Sequence, residues 1–235
     1  MKDGPDGKQS HALYSFEIRL EGKMLTTYHR TITMQALSGL FSAQALEIII
    51  SANLGQDHWL RGQIGHPEYH FDQNAFFKSR NYIEQNRLLI LPALQAGDIR
   101  SAQQAFGRLT HAAQDFYAHS NYVLRWLGHF PEGRWPLPAE IDPFDAGLLE
   151  GPELRSGKIY WPFEPLSWIP WVGRLIIPHL PPDSHARMNL DSPDRGPGFV
   201  YAYAAAVKRT IREYELTVNG LPPSLSAVFL HAPTS

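Results

Sequence analysis

The 235-residue chain contains no cysteine. That absence excludes a disulfide framework and every thiolate metal site, so any metal chemistry must use nitrogen and oxygen donors. A dominant charge sign is also lacking. Lys and Arg number 21 against 23 Asp and Glu, a net charge of -2, so no global basic field recruits nucleic acid or anionic lipid. No stretch approaches the roughly 18 uninterrupted apolar residues that span a bilayer. The most apolar pieces, Ala45–Ala52 and Leu88–Leu94, are short and interrupted by Glu47 and Pro92. The opening MKDGPDGKQS has neither the apolar run of a signal peptide nor an Arg-rich transit pattern. The expectation is a soluble protein, either cytoplasmic or exported by a leaderless route as an effector.

What is present is enough apolar material for a core, 43% of residues, with 12% aromatic. Histidine, at 11, and proline, at 19, stand out. Apolar residues at three- and four-residue spacing predict a helix from Thr33 to about Asn53, with Thr33 as N-cap. A second helix is expected from Gln73 or Ala75 to Leu91, ended by Pro92. Asp98 should cap a third, reaching at least His119, whose small and apolar residues cover more than one stripe and mark a buried central helix.

Thirteen of the 19 prolines fall between Pro131 and Pro197. Continuous helix is excluded there, yet Trp135, Trp161, Phe163, Trp168 and Trp171 are too apolar for a disordered linker. This segment reads as an ordered loop excursion, about 131–197, with a short helix near Pro143–Leu149. Helix returns from Phe199 to Val218, and Pro222 and Pro223 open a tail. The fold class is therefore mostly α, a single helical domain over 1–235.

The chemistry concentrates in His111-Ala-Ala-Gln-Asp115-Phe-Tyr-Ala-His119. Steps of four advance about 40° around an α-helix, so the two imidazoles and the carboxylate between them form one slowly turning stripe. Such a stripe on a buried helix can bind two metal ions with the central Asp bridging, because a desolvated carboxylate is costly unless cations compensate it. The competing interpretation is a core Asp–His hydrogen-bond network. Further donors sit beside predicted helices: His29, Asp57 and His58, then His66, His70 and Asp72, and later Asp183, His185 and Asp191. Imidazole and carboxylate donors without thiolate suit Zn²⁺.

The run HAAQDFYAHSN (His111–Asn121), preceded by EYHFD (Glu68–Asp72) and by His29, resembles Het-C-like relatives of the zinc-dependent phospholipase C superfamily, whose fold single-strand zinc nucleases share. The resemblance implies a helical zinc-phospholipase-C-type fold with two or three zinc ions in a cleft that hydrolyses phosphate esters. His70, His111, Asp115 and Asp57 would hold one zinc; Asp115 would bridge to a second, joined by His29. His119 would begin a third site, completed by His185 with Asp191, because Asn189 stands where the family has Glu, or else by His129 with Glu132. The family's N-terminal Trp ligand has no counterpart, which leaves His11 as a possible substitute. Asp57 would orient or deprotonate a zinc-bound water, whose pKa falls to about 7. The implied partner is a phospholipid at a membrane surface, with no nucleic acid expected because the arginines are scattered. The Trp-rich segment 160–171 would be the contact, or would instead cover the bundle and complete its core. A nuclease on the same scaffold and a non-catalytic membrane- or partner-binding module are the alternatives.

Overall fold

A computed structural model describes residues 24–58, 65–131, 133–167 and 169–231. Five helices form the body: α1 (Met24–Leu37), α2 (Ala43–Leu54), α4 (Phe76–Gln95), α5 (Ile99–His119) and α11 (Phe199–Asn219). Seven shorter ones are α3 (Pro67–His70), α6 (Tyr122–Leu127), α7 (Ala146–Leu149), α8 (Phe163–Leu166), α9 (Pro170–Ile176), α10 (His185–Met188) and α12 (Pro223–Phe229). No strand occurs among the described residues, only isolated bridges. The mostly α expectation holds. Nor is any described helix long and apolar enough to cross a membrane.

Helix α5 is central because its sequence lets neighbours close on every side. From Leu109 to Tyr117 every side chain is buried, and α2, α4 and α11 pack around it while α1 lies against α11. Asp98 caps it as expected, accepting the Ser101 N–H at 3.0 Å. Gly107 sets the α2 approach: a Cβ there would lie 2.3 Å from the Ile49 carbonyl oxygen and 2.8 Å from the Ala52 Cβ.

Three local expectations need correction. The predicted Thr33–Asn53 helix is two helices, because the chain turns at Gly39 (φ 82°) and Ser42 caps α2 through the Ala45 N–H. The apolar spacing runs through the turn since both helices bury residues in the same core; Thr33 is no cap but a buried residue inside α1. Pro92 does not end its helix. It lies one turn from the C-terminus on an exposed face, and the carbonyl it strands belongs to exposed Leu88, which water can satisfy. The tail after Pro222 folds as α12, which seats fully buried Phe229 against Phe41 and Phe106.

The excursion is ordered, as expected, and contains α7 near the anticipated place, together with α8, α9 and α10. Its centre threads beneath the bundle. Asn121 and Gly157 N–H groups donate to the Arg155 and His119 carbonyls, and Leu190 N–H donates to Ala118. The excursion is thus bonded to the C-terminal end of α5.

Replacing Gly107 by Ala would gain about 1 kcal/mol of helix propensity in an open helix. Here the added methyl meets backbone oxygen, so Gly107→Ala is expected to destabilise the fold by about 1–3 kcal/mol in urea unfolding.

A candidate metal centre on the central helix

The stripe His111, Asp115 and His119 faces a space ringed by other elements. α1 contributes His29, the turn after α2 contributes Asp57, α3 contributes His70, α10 contributes His185, and the loop beyond it contributes Asp191. All these groups except part-buried Asp57, His185 and Asp191 are buried.

Asp115 lies at the centre. Its Oδ2 is 2.7 Å from His70 Nδ1 and 3.1 Å from His111 Nε2, while its Oδ1 is 2.9 Å from His29 Nε2. Asp57 straddles the same two groups: Oδ1 is 3.6 Å from His111 Nε2 and 4.0 Å from His70 Nδ1, and Oδ2 is 3.9 Å from His29 Nε2. His70 Nδ1 and His111 Nε2 are 3.2 Å apart. The donor–donor edges of a tetrahedral site with bonds near 2.0–2.1 Å are about 3.3–3.4 Å. Among His70, His111, Asp57 and Asp115, the five edges that involve an imidazole run from 2.7 to 4.0 Å and bracket that spacing. Three further donor sets adjoin His70–His111–Asp115, namely His29–Asp57–His111, Asp115–His119–Asp191 and Asp72–His119–His185, each with its donor atoms within 4.8 Å.

Outer partners orient several ligands. Gln114 Oε1 accepts from His29 Nδ1 at 2.7 Å, which turns Nε2 toward Asp115. Gln114 is itself held, since its amide donates to Thr33 and Thr210 hydroxyls at 3.0 and 3.1 Å and its oxygen also accepts from Asn53. The His70 carbonyl accepts from His119 Nδ1 at 3.0 Å, leaving Nε2 directed at Asp191, 3.1 Å away. Asn189 donates to Asp191 Oδ2 at 2.5 Å and accepts its backbone N–H.

The electrostatics follow from burial and this crowding. Burial pushes the His29 imidazole down, but Asp115 and Asp57 overcome it and hold it up at about 10. For His70 and His119 burial likewise works downward and loses, to Asp115 in the first case and to Asp191, Asp115 and Asp72 in the second. His111 goes the other way: burial, joined by His29, holds it below the usual histidine value despite the acids. Burial alone would raise the carboxyls of Asp115, Asp72 and Asp191. The surrounding imidazoles reverse that and hold all three low.

A hydrogen-bond network does not satisfy all of this. Asp57 Oδ2 and Asp115 Oδ1 are buried and, among the described residues, accept no well-aligned hydrogen bond, although His29 Nε2 lies close to both. Donors converging on a common point without aligning on one another fit a shared cation.

The structure brings together all eight candidate ligands: His29, Asp57, His70, His111, Asp115, His119, His185 and Asp191. His129, by contrast, is exposed at the end of α6, and Glu132 and His11 lie outside the described residues. His58 is exposed, and His66 pairs with Glu68 at 3.0 Å. Asp72 was missing from the assigned ligand set although it stands within EYHFD. Its Oδ1 lies 2.9 Å from His185 Nδ1 and 3.4 Å from His119 Nδ1. The chain bends sharply to aim it: Phe71, Gln73 and Asn74 are non-glycine residues at φ 58°, 59° and 55°, a conformation that costs about 1–3 kcal/mol per residue. The excursion holds this turn. Gly157 carbonyl accepts the Gln73 N–H, and Asn74 exchanges two hydrogen bonds with Ser156.

A narrow cleft of about 30 Å³ between α1, α5 and α11 opens onto His29, Asp115 and Asp191. Its walls include Ile32, Leu190, Phe199 and Ala206, together with Tyr28, whose buried hydroxyl has no hydrogen-bond partner among the described residues.

Fold and site together define an all-helical domain with a buried His/Asp cluster. Residues 23–128 match the VWA7 N-terminal domain family. Two relatives are similar: von Willebrand factor A domain-containing protein 7 of Rattus norvegicus, 37% identical over 93 residues, and that of Mus musculus, 35% identical over 93 residues. Each alignment covers 39% of this chain and 10% of the relative, so the chain spans a small part of those proteins. No solved structure matches.

These matches overturn the Het-C-like phospholipase C resemblance. The residues that carried it lie almost wholly within 23–128, and that region is similar to a VWA7 N-terminal domain. The phospholipase C assignment, its lipid hydrolysis and the hydrolase label fall with it. A helical stripe of His and Asp is demanded by metal ligation in general and does not specify one reaction.

Gln114 makes four buried hydrogen bonds, one to His29 and three that fix its own amide. Gln114→Leu leaves several of those groups unpaired and is expected to cost about 1–3 kcal/mol for each that finds no water, read as a lowered urea midpoint.

Proposed function

We propose that this domain is a metal-binding module holding two or three divalent transition-metal ions, with Zn²⁺ the first candidate for its imidazole and carboxylate donors. The observation that carries this reading is the His70, His111 and Asp115 set, whose donor atoms lie 2.7–3.2 Å apart, with Asp57 Oδ1 3.6 and 4.0 Å from the two imidazoles. His29 faces the other oxygens of the same two carboxylates, an arrangement suited to a second ion bridged by Asp115 and Asp57. Asp191 and His119 extend the set toward the third. Bound cations would offset the burial of carboxylates whose desolvation is otherwise expensive. The narrow cleft beside Tyr28 and His29 gives this edge of the centre access to water.

Metal analysis of the purified chain tests the proposal. About two or more equivalents of divalent metal are expected, and less than one equivalent after incubation with Zn²⁺ would overturn it. Asp115→Asn should lose the most metal because one carboxylate serves two ions, whereas exposed His58→Ala should lose none. Ions that bind the folded state at 100 times their Kd stabilise it by about 2.7 kcal/mol. Chelation should therefore lower Tm by about 5–10 °C, and added Zn²⁺ should restore it.

A further inference from the structure

The excursion inverts the polarity expected of a surface helix. In α8 the apolar residues Phe163 and Leu166 point outward, while the one acid, Glu164, is fully buried. Glu164 accepts the Ala186 N–H through Oε1 at 2.5 Å. In α9, Trp171, Arg174 and Leu175 are exposed, at a three- and four-residue spacing that places them on one face. Trp161 is 80% exposed, Trp171 73% and Leu175 68%, with exposed Ile169 between the two helices. Single exposed apolar residues are ordinary; a run of this kind with its charge turned inward is not. Trp168 lies outside the described residues.

The charge of this surface identifies what it fits. Between Ile159 and Pro182 the only acid is buried Glu164, and the cationic side chain is Arg174. At the margin, Asp183 is engaged by Lys158 at 2.8 Å and by the Tyr160 hydroxyl at 2.7 Å. The exposed face is therefore aromatic, aliphatic and cationic, without an available carboxylate. Indole rings favour the headgroup layer of a bilayer, and an arginine beside them is drawn to anionic lipid. The chain's overall charge of -2 gives no such attraction, so the effect is local.

We propose that the face formed by Trp161, Phe163, Leu166, Trp171, Arg174 and Leu175 docks on an anionic lipid surface. The contact is peripheral and reversible. It needs neither a spanning helix nor the metal centre, so its success or failure is independent of the metal-binding proposal.

Flotation of the full chain with phosphatidylcholine vesicles, with and without phosphatidylserine, tests this. Partitioning is expected on both and stronger with phosphatidylserine. The double variant Trp161→Ser, Trp171→Ser should lose about tenfold or more, since burial of one large apolar side chain outweighs a factor of ten in a partition equilibrium. Arg174→Glu should remove the phosphatidylserine preference, and excess EDTA should leave partitioning unchanged. No partitioning, or full partitioning of the double variant, overturns the proposal. So does loss of partitioning in EDTA, which would place the headgroup on the metals. A dimer in sedimentation velocity that the double variant abolishes would assign the face to a second copy of the chain and also overturn it.

Discussion

The structure turns on one costly placement, a carboxylate in the buried middle of the central helix. Asp115 is almost wholly buried, and burial by itself would push its carboxyl up. The imidazoles of His111, His29 and His119 hold its carboxyl low, and His70 from α3 lies 2.7 Å from it. Each of those imidazoles must in turn be delivered by an element packed closely on α5, which requires the small residues that line it. Gly107 admits the α2 backbone, and Ala112 and Ala113 are fully buried between neighbours. Close helix packing and cluster formation are thus one constraint seen from two sides.

The excursion answers a related need. A helical bundle ends where its loops begin, and the C-terminal end of α5 would leave His119 and Asp72 open to solvent. Residues 155–158 and 184–191 close that end. Gly157 passes so near His185 that a Cβ would lie 2.6 Å from its Cα. The same stretch fixes the left-handed turn at Phe71, Gln73 and Asn74 that directs Asp72 inward. The prolines that forbid long helix here are compatible with this work, because the segment meets the bundle through isolated backbone bonds rather than through a helical face.

How far the sequence was legible depends on the range of each interaction. The His111, Asp115 and His119 stripe is set by the pitch of one helix, so its geometry follows from spacing alone. The capping role of Asp98 is equally local. The break between α1 and α2 was hidden because both helices contribute to one core, so their apolar spacing continues across Gly39. Pro92 misled because its cost depends on whether the stranded carbonyl reaches water, a fact of exposure rather than of sequence. Asn189 looked like a missing acid, yet it holds Asp191 at both ends and leaves that carboxylate to face His119. Asp72 could have been found from its place in EYHFD, though only the bend around it shows where it points. The resemblance to a phospholipase family failed for a different reason. It rested on His and Asp residues whose pattern would suit metal ligation in general, and such a pattern does not single out one family.

Glu164 links the two unusual regions of the chain. An acid on α8 would ordinarily face water, and its burial is costly unless its oxygens are used. One is used: it accepts the N–H of Ala186, the residue after His185. Turning the acid inward therefore does two things at once. It anchors the turn that carries an imidazole of the buried cluster, and it leaves Phe163, Leu166 and their neighbours as an outward face free of negative charge. The aromatic surface is in this sense a consequence of how the excursion is fastened, since the same short helix cannot present its acid to both sides.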